Sequence, residues 1–92
     1  MPAKISWARS VTKHRVSRER SGYVARTATT ILRQPAPAGS TLGYDRLVFL
    51  GTDEAGALLE VVAIETEHGL LIIHAMPIRD RYRQHLKGDD DA

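Results

Sequence analysis

Three stretches in the second half of the chain are apolar at nearly every position: DRLVFLG (45–51), ALLEVVAIE (57–65) and LLIIHAM (70–76). Each has the length of a strand and ends in residues that turn or stop a chain: TDEAG after the first, TEHG after the second and Pro77 after the third. Connections this short predict an antiparallel meander. Strands apolar on both sides imply a sheet covered on both faces.

The first third has a different period. Trp7 and Val11 lie four apart and predict a short helical turn over 6–14. Ser17 is placed to cap a second helix, and Glu19 suits its positive end. Val24, Ala28, Ile31 and Leu32 then recur at helical spacing, with Arg18, Arg26 and Arg33 off that stripe. Gly22 weakens such a helix by about 1 kcal/mol relative to alanine, and TATT (27–30) leans towards strand. Pro35 and Pro37 stop the helix and open a breaker-rich connection, RQPAPAGSTLG (33–43). After Pro77, which suits a helix's first position, Ile78, Tyr82 and Leu86 fall on one helical face. Lys87 and Gly88 mark its end, and residues 88–92 read as a disordered acidic tail. The expectation is a single α+β domain over 1–92, a two-layer sandwich. It has two N-terminal helices, a three- to four-stranded antiparallel meander and a short C-terminal helix.

Charge changes this picture more than composition does. Net charge is only +2, but residues 1–34 carry eight basic side chains against the single acid Glu19, whereas 35–69 are acidic. That asymmetry favours a polyanionic or acidic partner. Without cysteine there are no disulfides, thiolate metal sites or thiol nucleophiles, which suits a reducing cytoplasm. The longest apolar run is far short of the roughly 20 residues of a membrane span, and the N-terminus has no signal-peptide segment.

Candidate chemistry gathers around the third strand's end. If TEHG makes the turn, Glu65 pairs with Leu70 and Val61 lies opposite His74. His74 and Glu60 then sit on opposite faces unless a bulge intervenes. His74 is either a half-buried histidine bonded to a backbone carbonyl or a proton-transfer group next to the cations beyond Pro77. Arg79 and Arg83, four apart, suit a phosphodiester and the charge of its phosphorane, or form a solvated face with Arg81. Tyr82 belongs either to the core stripe or to a base-stacking, proton-donating site. Lys13, His14 and Arg15 form a basic cluster that, with Arg81, could hold RNA backbone. Glu60 needs a buried partner, for which Arg46 on the neighbouring strand is the first choice. Neither metal-ligand spacing nor a phosphate-cradling glycine loop is present, so no metal and no cofactor are indicated.

KHRVS (13–17) before a helix, GYDRLVFLGTDEAGALLEVVAIE (43–65) and LLIIHAMPIRDRYRQ (70–84) together resemble the BrnT-like toxins of the RelE superfamily. The resemblance spans Trp7 to Leu86. It implies a RelE-like fold and a cytoplasmic bacterial type II toxin that cleaves RNA, free or on the ribosome. The toxin would be held inactive in a hetero-oligomer by a cognate antitoxin, usually a small DNA-binding protein. Only that complex would meet promoter DNA. Arg79, Arg81, Tyr82 and Arg83 keep the family's basic and tyrosine character, and Asp80 lies near its acidic helix residue. His74 stands where the family has serine, and Met76 where it has an arginine. Two outcomes stay open: His74 acts with Arg79 or Arg83 in that arginine's stead, or the fold persists as a non-catalytic interaction module. A dedicated single-strand binder is disfavoured by one Trp, one Phe and three Tyr, which offer few stacking platforms.

Overall fold

The three apolar stretches are strands, and they pair in chain order. In a computed structural model, which describes residues 4–9, 11, 15–36, 38–39 and 44–90 and side chains as far as 86, they are β3 (Arg46–Thr52), β4 (Leu58–Thr66) and β5 (Gly69–Pro77). Before them come β1 (Ile5–Trp7), α1 (Arg18–Thr27) and β2 (Thr30–Gln34), and after them α2 (Asp80–Asp90). The sheet has the order β1-β5-β4-β3-β2. It is mixed: β1 runs parallel to β5, while the other neighbours are antiparallel. No helix among the described residues is long and apolar enough to cross a membrane.

This corrects the expected fold class of two N-terminal helices followed by a three- to four-stranded meander. The described structure has two helices in all, one before the meander and one after it, and a five-stranded mixed sheet. Trp7 is not on a helix. It pairs with Ile72 at the sheet's edge, and its indole Nε1 donates to Ser21 Oγ at 2.9 Å. Ser21 in turn donates to the carbonyls of Ser17 and Arg18, so a long-range tether takes the place of local helical bonds. Gly22 lets that tether form, because a Cβ there would meet the indole at 3.1 Å.

The second helix begins where expected, with the Ser17 side chain accepting from the Arg20 amide. It stops at Thr27, not at Pro35, and Ala28 has extended backbone. Ile31 and Leu32 share a helical stripe with Val24 only on paper. In the fold they pair with Phe49 and Val48, and the β-leaning Thr30 before them gains Leu50 as a sheet neighbour that an isolated helical end lacks. Pro77 closes β5 and does not open α2, which starts at Asp80. Through Asp90 the helix extends into the tail expected to be disordered, while 91–92 lie outside the described residues.

Each face has its own core. Val16, Val24 and Val11 pack with Phe49, Leu59, Val61, Ala63, Ile72 and Ala75 on the α1 side. Val48, Leu50 and Val62 pack with Ile78 and Tyr82 on the α2 side. Burying each such side chain contributes about 1.5–3 kcal/mol, and neither helix alone could cover both faces.

Asp53 fastens α1 to the β3–β4 turn. One carboxylate oxygen accepts from the amides of Ala55 and Ala57, and the other accepts from Arg20 Nε at 2.7 Å. The Ala57 amide and then the Arg20 guanidinium hold its carboxyl below the usual value of 3.8, against the opposing effect of burial. A depressed folded-state value means stability present above the unfolded value and lost as pH falls through the folded one. Denaturant unfolding from neutral pH to below 3.8 should show this loss in the wild type and a shallower loss in Asp53→Asn. At neutral pH, Asp53→Ala should be less stable than Asp53→Asn, which keeps an acceptor for the turn. Superimposable acid profiles for wild type and Asp53→Asn would refute this role.

Candidate functional site

Between β4 and β5 the register slips. Glu65 pairs with Leu70 and Ala63 with Ile72, but Val62 pairs with His74. Ile73 is the extra residue of a β-bulge, and everything after it changes face. Without the bulge, His74 would oppose Val61 on the α1 side, as the regular spacing predicts. With it, His74 joins the α2 side, the face that carries Glu60.

Cross-strand rows show what this achieves. Leu32, Val48, Val62 and His74 form one row across β2, β3, β4 and β5. Gln34 and Arg46 begin the next row on one side, and Glu60 and Met76 are paired in the row on the other. Gln34, Arg46, Val62, Ile73 and His74 therefore line one cleft with Arg79, Arg81 and Tyr82 from the chain around α2. Its volume is about 390 Å³, which lies within the range of small-ligand sites.

Tyr82 serves the core and the cleft at once. Its ring is 4% exposed among the α2-side apolar residues. Its hydroxyl accepts from Gln34 Nε2 at 2.9 Å and from an Arg81 guanidinium N–H at 2.8 Å. The Arg81 guanidinium carbon lies 4.7 Å from the ring centroid, and that of Arg79 lies 5.6 Å from it.

Arg79 is committed to Glu60. Its Nε donates to both carboxylate oxygens at 3.0 and 3.1 Å, its Nη2 to Oε2 at 2.6 Å and its backbone N–H to Oε1 at 2.9 Å. Glu60 is fully buried. Its hydrogen bond and charge hold the Arg79 guanidinium above the ordinary arginine value, against the desolvation that would lower it. The expected Glu60–Arg46 pair is thus corrected to Glu60–Arg79. Arg46 and Glu60 sit two rows apart, whereas the chain turning out of β5 brings Arg79 directly over the carboxylate.

The predicted site residues separate accordingly. His74, Arg79, Arg81 and Tyr82 come together in the cleft. Arg83 does not line it and pairs with Asp80 at 3.2 Å along α2. Arg15 belongs to the α1 layer, with left-handed backbone (φ 62°) and a carbonyl that accepts from Arg20. Lys13 and His14 lie outside the described residues. Arg46 and Gln34 were missed as cleft residues. Only the bulge puts Arg46 on the face of His74, and Gln34 falls at the end of what reads as a helix.

Among the described residues lining the cleft are three arginines, a histidine, a tyrosine and no carboxylate. Such a lining can hold a phosphate through guanidinium donors while an imidazole moves a proton nearby. Among the described residues no group of three or more His, Cys, Asp or Glu gathers to hold a metal ion. No family model, curated protein or solved structure matches the chain.

Proposed function

We propose that the chain is a metal-independent endoribonuclease, the toxin component of a bacterial type II toxin–antitoxin pair neutralised by its cognate antitoxin. The observation that carries this reading is the bulge at Ile73, which turns His74 into the cleft of Arg46, Arg81 and Tyr82. A phosphodiester held by Arg46 and Arg81 would lie beside an imidazole able to take the ribose 2′-hydroxyl proton. The 2′-oxygen then attacks the adjacent phosphorus and the bond to the 5′-oxygen breaks. A 2′,3′-cyclic phosphate and a 5′-hydroxyl result, the leaving oxygen taking a proton from the Tyr82 hydroxyl or from water. The arginines offset the charge of the phosphorane as it forms.

Purified protein incubated with end-labelled RNA in EDTA is expected to give fragments ending in cyclic phosphate. His74→Ala should slow this by about 100-fold and relieve growth arrest on expression. A second reading, a non-catalytic interaction module, is favoured by Met76, which stands opposite Glu60 in the place of the family's arginine. A folded protein that cleaves no RNA under any condition, and binds none, would end the first reading and leave this one.

A further inference from the structure

We infer that Glu60 decides which cations of the cleft meet a bound phosphate: it withholds Arg79 and leaves Arg46 and Arg81 to bind. The inference rests on the phosphate-binding reading of the cleft and goes beyond it, because sequence spacing alone makes Arg79 a prime phosphate ligand.

The geometry is one-sided. Arg79 gives its Nε and one Nη2 hydrogen to a carboxylate that has no access to solvent, at distances down to 2.6 Å. That edge of the guanidinium is one of the two on which a bidentate phosphate can sit. The same carboxylate also accepts from the Arg79 backbone N–H, so releasing the side chain would disturb the chain just before α2. A phosphate drawing on Arg79 would compete with a charge already in contact, and the pair together presents no net charge. Arg46 and Arg81 are in another position. Arg81 donates to the Tyr82 hydroxyl and not to a carboxylate, and among the described residues neither has a carboxylate within salt-bridge distance. Glu60 is thus a positioning residue that sets the charge of the cleft at two arginines, not three.

In the wild-type chain, the arginine Nε–Hε resonances report each guanidinium separately. With inorganic phosphate, and with a non-cleavable 2′-deoxy oligonucleotide, the Arg46 and Arg81 signals should shift while that of Arg79 holds. Glu60→Gln keeps an acceptor for the Arg79 amide but frees the guanidinium. It should tighten oligonucleotide binding and steepen its dependence on log salt by about 0.7, one further phosphate contact on a single strand. Removing the freed cation in Glu60→Gln/Arg79→Gln should return the slope to the wild-type value, a change that a purely structural role for Glu60 would not produce. An Arg79 signal that shifts as far as the other two, or a folded Glu60→Gln with an unchanged slope, overturns the inference. If Glu60→Gln fails to fold, the wild-type resonances decide alone. Shifts at Arg46 and Arg81 in a protein that never cleaves RNA would sustain this inference and remove the ribonuclease reading. Silence at all three arginines with both probes would remove both.

Discussion

Gly69→Ala is expected to destabilise the protein by about 3 kcal/mol, adding the cost of a strained backbone to that of lost hydrogen bonds. Gly69 has φ +119°, and a Cβ built there would fall on the Lys4 carbonyl oxygen, with Lys4 N and C both at 3.0 Å. That carbonyl accepts from the Leu70 amide at 2.8 Å, and further along the edge the Ala8 amide donates to the Ile72 carbonyl. Alanine would have to push β1 off β5, and both bonds would weaken. In a domain of this size, a loss of that order lowers Tm by more than 10 °C at roughly 4–8 °C per kcal/mol. Gly56→Ala is the control. It too has a positive φ (+86°), but nothing lies within 4 Å of an added Cβ, so it carries only the strain, about 1 kcal/mol. Hydrogen exchange should show faster exchange at the Leu70 and Ala8 amides in Gly69→Ala and not in Gly56→Ala. Equal Tm losses in the two variants would mean that the close approach of β1 contributes nothing.

Arg79→Met is expected to cost about 2–3 kcal/mol. Breaking a fully buried pair costs roughly 3–5 kcal/mol, because the surviving charge is left without a partner. Here Glu60 is fully buried but the Arg79 side chain is 42% exposed, so water reaching the gap offsets part of the loss. Adding Glu60→Gln to Arg79→Met removes the stranded charge and keeps an acceptor for the residue-79 amide. It should recover more than half of the deficit, as read by denaturant unfolding of the two single variants and the double. Strictly additive losses would show that the two groups are not coupled.

The meander was legible because its signal is local. Three apolar runs between turn residues define β3, β4 and β5, and the Glu65–Leu70 pair follows from the turn. The Ser17 cap was legible for the same reason, and so was the packing of Ile78, Tyr82 and Leu86 in one cluster, although Ile78 precedes α2. The N-terminal third was not, because long-range partners override local period there. Trp7 becomes a strand residue through Ile72 and Ser21, and Ile31 and Leu32 do so through β3. Within the site, sequence spacing brought forward His74, Arg79, Arg81 and Tyr82 but could not reveal the bulge. It therefore placed Glu60 and His74 on opposite faces and paired Glu60 with Arg46. Gln34 carries no signal of its own, since its importance comes only from the Tyr82 hydroxyl it reaches.

The bulge at Ile73 also bears on how such a site could arise. In a regular strand, moving a histidine together with everything after it from one face to the other requires new residues at every following position, because alternation fixes them all. One inserted codon does the same in a single step, and here the residues before it keep their places against α1. Change of length, not change of residue type, is thus a short mutational route by which a strand packed wholly into a core could come to offer a histidine to a ligand.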